Sequence, residues 1–390
     1  MPPPLPRLRA KRDALVALTA AAVLAGGVVV AVTDTSGPRR ASGEKPQADV
    51  SAIAPTPPPS ATAPTRTQPP RPSRTPTPTP VHPPVAAAPL FPLPAKPAYP
   101  QPCPPPPVPP GPPFKAPKPA VKAADLPGVV AVPRHRHVDI SAVSGKGIWL
   151  TTWPDTSLDV RQVIARATAA GLHQIWVRTS GTIQGWYGER LLTRLLPAAH
   201  AAGLKVIAWD FPSLGDPLLD VRRADHVLKG TFAGQRVDGF SPDIETITEG
   251  TFDTDRRVRI YLSRIRRDAG SMPVIATVLR PTPSMLASYP YRAEAPYVDV
   301  FAPMVYWSCV EPGLATLDSI RPLARLRPVH VIGQSFDMGS MGGRHGLPSG
   351  REIWRFLDVA KRAGAVGASL YLYEETRYAQ WRALTRYPWR

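Results

Sequence analysis

From residue 145 onward, short apolar runs alternate with longer segments in which apolar positions recur every three or four residues. The first pattern predicts buried strands and the second amphipathic helices. GIWLTTW (147–153), IWVRTS (175–180), KVIAWDF (205–211) and VDGFSPDIE (237–245) read as the first four strands. PVIATVLR (273–280), VDVFAPMVYW (298–307), PVHVIGQSF (328–336) and AVGASLYLYEE (365–375) read as the second four. The spacing predicts helices over 158–170, 190–202, about 220–228, 255–268, near 285, 314–326, 351–363 and 377–385. Eight strand–helix pairs in 145–390 match a (β/α)8 TIM barrel, an α/β fold usually built from about 250 residues. A doubly wound open sheet uses the same alternation. No GxGxxG follows the first strand to favour a dinucleotide fold.

Upstream the pattern disappears. Residues 1–13 carry Arg7, Arg9, Lys11 and Arg12 ahead of an uncharged run, 14–32, that would span about 28 Å as a helix. The basic cluster predicts a cytoplasmic start, a single-pass signal anchor at the cell membrane and an extracytoplasmic barrel. The alternative is a cleaved signal peptide and a secreted protein. Residues 33–144 read as a disordered proline-rich linker, since 33 of the 53 prolines fall in 38–133. Fixed φ angles and missing donors exclude helix and sheet there, leaving a stiff spacer.

Charge changes the picture only slightly. The net +18 divides into +11 over residues 1–136 (16 basic, 5 acidic) and +7 over the rest (31 basic, 24 acidic). With no dense basic block or reading motif, nucleic acid is not an expected partner. A membrane surface or anionic wall polymer fits better. Two cysteines, Cys103 and Cys309, supply neither a disulfide framework nor a thiolate zinc site. The sequence calls for no metal and no cofactor, and a monomer is expected. It lacks a GxSxG elbow, and the HRH at 135–137 has no carboxylates at metal spacing.

In such barrels, chemistry sits at the C-terminal ends of the strands. Arg178, Asp210, Asp243, Glu245, Arg280, Tyr306, Gln334 and the run from Tyr373 to Glu375 all fall there. Within VDGFSPDIE, strand alternation places Ser241, Asp243 and Glu245 on one face and Phe240, Pro242 and Ile244 on the other. Two adjacent carboxyls in a desolvated mouth leave one protonated beside an anion, which is what glycosidic cleavage requires. Trp153, Trp186, Tyr187 and Trp307 are candidate platforms for sugar rings, and Arg178 could bind a hydroxyl or carboxylate or pair with Asp210. The Gly-rich loop 337–350 is a candidate lid.

VDGFSPDIE resembles the fourth-strand signature of family 18 glycoside hydrolases, the chitinase-like barrels, roughly D-G-x-D-x-D-x-E. Asp238, Gly239, Asp243 and Glu245 match, whereas Ser241 stands where an Asp is expected and Pro242 where an apolar residue is expected. Met304 and Tyr306 in APMVYW match the family's Met-x-Tyr, with Trp307 in place of the following Asp. The resemblance implies that Glu245 is the general acid. It also implies that Asp243 orients a substrate acetamido group, whose oxygen is the nucleophile, and that Tyr306 hydrogen-bonds that group.

A conventional two-carboxylate mechanism is the rival. Alternation along GASLYLYEET puts Tyr371, Tyr373 and Glu375 inward and Glu374 at the rim, so Glu375 could be the nucleophile, with Asp210 as another candidate. The reading is a membrane-tethered glycoside hydrolase-like barrel acting on cell-wall or extracellular polysaccharide. The alternative is a catalytically weak or inactive barrel that binds glycan and is displayed on the cell surface by the proline-rich linker.

Overall fold

The computed structural model describes residues 118–132, 138–151, 158–341 and 343–389. The expected n-region (1–13), the anchor (14–32), most of the linker and Trp153 lie outside the described residues. Among those described, no helix is long and apolar enough to cross a membrane.

The strands are β1 (Gly145–Leu150), β2 (Gln174–Gly181), the two-residue β3 (Gly185–Trp186), β4 (Lys205–Phe211), β5 (Gly239–Pro242), β6 (Ile275–Val278), β7 (Val300–Val305), β8 (His330–Gln334) and β9 (Gly367–Tyr371). The sheet order β5-β4-β2-β1-β9-β8-β7-β6 is parallel at every pairing; β3 only forms a hairpin with β2. Two parallel bridges, Phe240 to Val274 and Asp243 to Thr277, join β5 to β6 and complete the ring. The expected eight-stranded α/β barrel is therefore the observed one.

Around it run α1 (Val160–Ala169), α2 (Glu189–Ala201), α3 (Pro217–Leu228), α4 (Asp255–Ala269), α5 (Pro283–Ser288), α6 (Tyr291–Glu294), α7 (Pro312–Leu323), α8 (Gly350–Arg362) and α9 (Tyr378–Arg386). Local chemistry sets several starts. Asp159 caps α1 by accepting from two backbone amides, and Asp216 does the same for α3, with Pro217 at its first position. Ser349 and Glu352 form a capping box on α8.

Apolar residues divide into two cores. The larger lies between strands and helices; the smaller fills the barrel around Trp149, Trp176 and Trp209. Trp149 and Trp176 stack with centroids 4.5 Å apart. At the N-terminal end Val143 plugs the barrel, and His330 Nδ1 lies 2.8 Å from its carbonyl. A carbonyl only accepts, so Nδ1 carries the proton and Nε2 accepts from Ser369, 2.9 Å away. Ser369 in turn accepts from Trp149 Nε1 at 2.8 Å.

Residues 118–132, upstream of the expected barrel start, pack along α4. Arg256 donates to Leu126 O at 3.0 Å and Arg264 to Gly128 O at 3.0 Å, while Arg257 bonds Val121 O. The basic character of α4 is thus partly explained by carbonyl partners in the incoming chain.

Candidate active site

The site grows from the mouth end of β5. Below it, Asp238 accepts from Lys205 Nζ (2.9 Å) and Val206 N (2.8 Å) and contacts His200 Nε2 (2.8 Å), which ties β5 to its neighbours. Gly239 follows because a Cβ there would stand 2.9 Å from Ile207 Cδ1 and 3.1 Å from Ile275 Cδ1. The two matched residues Asp238 and Gly239 therefore build the strand, whereas the next inward positions face the mouth.

Phe240 and Ile244 belong to the helix-facing core, which turns Ser241, Asp243 and Glu245 inward. Ser241 Oγ donates to Ile275 O at 2.8 Å and lies 2.8 Å from Thr277 Oγ1. The hydroxyl that replaces the family's Asp is thus held by β6. Asp243 is 6% exposed and Glu245 is 0% exposed. Asp243 Oδ1 and both carboxyl oxygens of Glu245 have no hydrogen-bond partner among the described residues. Three buried acceptor atoms without donors are costly to a fold, and such groups concentrate at functional sites.

Burial pushes the Asp243 carboxyl up to about 7, with nearby Arg178 opposing the rise and Asp210 adding to it. Glu245 is driven well above the usual carboxylate range, first by burial, then by the charges of Asp243 and Glu249, against Arg178. Burial therefore favours the protonated form of Glu245 more strongly than that of its neighbour Asp243. Tyr306 and Tyr371 are raised chiefly by burial, and each feels Asp243 and Glu245, so both remain neutral donors.

The structure brings together Arg178, Tyr187, Asp243, Glu245, Tyr306 and Tyr371. The Arg178 guanidinium lies 5.0 Å from the Trp209 ring centroid and 5.8 Å from that of Phe211, and its charge acts on the Tyr187 hydroxyl. Tyr306, Phe336 and Tyr371 form an aromatic cluster with centroids 5.1–6.0 Å apart. Met304 lies in the inner core beneath them. Gln334 Oε1 accepts from Ser308 N at 2.9 Å and so supports the loop after β7.

Other expected residues lie elsewhere. Asp210 faces α3, because Trp209 takes the inward position, and forms a bidentate pair with Arg223 at 3.1 and 2.9 Å. Both of its carboxylate oxygens are thus engaged by Arg223. Trp307 is 1% exposed and packs on Phe356 of α8 with the rings tilted and their centroids 5.3 Å apart. Trp186 stacks on His226 of α3 at 5.2 Å and 9°.

β9 ends at Tyr371 and residues 373–375 form a turn, so alternation no longer applies beyond that point. Tyr373 consequently packs against Trp381 at 5.6 Å, under Arg166. Glu375 feels Arg377 and Asp337 rather than the Asp243–Glu245 pair. Glu374 Oε1 accepts from Thr151 N at 3.0 Å, linking the ends of β9 and β1. Arg280 opens on a groove of about 410 Å³ lined also by Asp318, Arg321 and Arg325.

Sequence reasoning missed Thr277, Phe336 and Tyr289. Thr277 sits on an expected strand at inward parity, so alternation could have found it. Tyr289 lies beyond any periodic signal. Among the described residues, no cluster of three or more His, Cys, Asp or Glu side chains could hold a metal ion.

No protein-family model matches the sequence, and no curated protein does. Solved structures similar to this chain include a chitinase from Chromobacterium violaceum ATCC 12472, with 12% identity, 62% of this chain and 98% of that one covered, and a TM-score of 0.47. A GH113 β-1,4-mannanase has 12% identity, covering 62% and 96%, with a TM-score of 0.47. The spore cortex-lytic enzyme of Bacillus cereus has 12% identity, covering 62% and 73%, with a TM-score of 0.48.

Proposed function

We propose that this barrel is a glycoside hydrolase with Glu245 as its general acid. The observation that carries the reading is the buried Asp243–Glu245 pair, three of whose oxygens have no donor among the described residues, facing a mouth shared with Arg178 and Tyr306. Burial keeps a proton on Glu245 for the leaving glycosidic oxygen. Arg178 favours the ionised form of Asp243, which can stabilise positive charge developing at the sugar ring.

In the substrate-assisted route, an acetamido oxygen attacks the anomeric carbon as Glu245 gives its proton to the departing oxygen. Asp243 and Tyr306 hold the acetamido group. Glu245, now ionised, takes a proton from the water that opens the cyclic intermediate. Ser241, committed to β6, adds no charge to this arrangement. Asp210 is engaged by Arg223 and Glu375 lies on the turn after β9, so this reading gives neither the role of second carboxylate.

The substrate class is cell-wall or extracellular polysaccharide, reached from the membrane by the 14–32 anchor and the proline-rich spacer; the sequence supports this placement. A second reading, a barrel that binds glycan without turnover, draws on the complete burial of Glu245.

Incubation with chitin-type oligomers, soluble glycans and peptidoglycan, assayed for reducing ends, separates the two readings. Release by wild type and not by Glu245→Gln is the expected result. Saturable binding with no release by either would leave only the display reading.

A further inference from the structure

The catalytic reading depends on how Asp243 and Glu245 are aimed, yet the ladder of β5 stops at Pro242, just before both of them. Beyond it the backbone is held by few bonds. Asp243 N donates to Asp210 O at 2.8 Å and Ile244 N to Thr277 O at 3.2 Å. The carbonyl of Ile244, in the peptide that joins the two acids, accepts from Tyr289 Oη at 2.7 Å. Among the described residues this is the one side-chain hydrogen bond to the 243–245 backbone.

Tyr289 is a built feature rather than a surface ring. It is 5% exposed, closes α5, and packs on Tyr291 with centroids 4.5 Å apart. Glu294, 0% exposed and at the end of α6, stands beside its hydroxyl. Burial raises Glu294 well above the usual carboxylate range. The acceptor that meets hydrogen-bond geometry at the tyrosine hydroxyl is the Ile244 carbonyl, at 2.7 Å. Tyr291 makes a parallel bond, Oη to Leu279 O at 3.0 Å, but on the end of β6, which carries neither acid.

We propose that Tyr289 is a positioning residue for catalysis: its hydroxyl pins the Ile244 peptide and thereby fixes the directions in which Asp243 and Glu245 point. This rests on the glycosidase reading of the same site. A small error in aim is enough to matter, since misplacement of about 1 Å can cost up to 10²-fold in rate.

The test compares Tyr289→Phe with Tyr291→Phe in the whole protein. Each variant removes one hydroxyl-to-carbonyl bond and keeps its ring, so the structural losses are matched. Tyr289→Phe should lower kcat by about tenfold with KM nearly unchanged, and Tyr291→Phe should leave kcat within about twofold. Carboxyl ¹³C NMR, which needs no turnover, should show the Asp243–Glu245 titration moved by Tyr289→Phe and not by Tyr291→Phe. Equal effects of the two variants on both readouts would overturn the proposal. If wild type cleaves no glycan, the glycosidase reading fails alone, and the NMR comparison still decides whether Tyr289 sets the pair.

Discussion

Two groups of buried polar side chains in the barrel are satisfied to opposite degrees. At the N-terminal end, Trp149, Ser369, His330 and the Val143 carbonyl form a closed chain in which each donor meets an acceptor. Nearby, Lys146 Nζ donates to the carbonyls of Ala170, Leu384 and Tyr387 at 2.9, 2.5 and 3.0 Å. At the C-terminal end, two buried carboxyls keep three oxygens without donors among the described residues. Satisfied networks make a fold rigid, while unsatisfied groups weaken it and are retained where chemistry uses them. The lower group accordingly stabilises the barrel, and the upper one is where the proposed reaction is placed.

The contrast can be broken first at the lower end. Ser369→Ala strands two buried groups, Trp149 Nε1 and His330 Nε2, and should cost roughly 2–5 kcal/mol in chemical denaturation. Activity per folded molecule should not change. Loss of turnover at full stability would mean that this chain belongs to the reaction.

Acid provides the next test. Burial holds His330 down at about 4, against an ordinary value of 6.5. Above pH 6.5 neither state binds the proton. Between 6.5 and about 4 the unfolded chain binds one that the folded barrel excludes, so stability falls, by up to about 3 kcal/mol once both values are passed. Denaturation midpoints of wild type and His330→Asn across this window should converge as pH falls. Parallel curves would remove His330 as the cause.

At the mouth, Arg178 holds the Asp243 carboxyl below where burial alone would put it. Arg178→Gln should raise that pKa and move the acid limb of the activity profile to higher pH. A limb that moves the other way, or not at all, would separate Arg178 from Asp243. The smallest effect is expected at Trp186. Its ring stacks on His226, so Trp186→Ala should change KM by less than about twofold.

Much of this architecture was legible in the sequence, because burial of both faces of a parallel strand and one face of a helix imposes two distinct periods. All eight barrel strands and their helices lie where alternation put them, with α6 as an unforeseen extra turn. Parity also placed Ser241, Asp243 and Glu245 on one face. It could have placed Trp307 and Asp210 outside as well, from their inward neighbours Tyr306 and Trp209, but their chemistry suggested a rim role. Counting past the end of β9 misplaced Tyr373 and Glu375. Tyr289 was hidden for another reason: it reaches the acid strand from 45 residues away, out of a short irregular helix.

If Glu245 donates a proton to a leaving oxygen, the cost of its loss must depend on the leaving group. Wild type and Glu245→Gln would be compared on a natural glycan and on an aryl glycoside whose phenolate leaves without protonation. A loss of about 10²–10⁴-fold is expected on the glycan and a far smaller loss on the aryl glycoside. Equal losses on both substrates, or none on either, would contradict proton donation by Glu245.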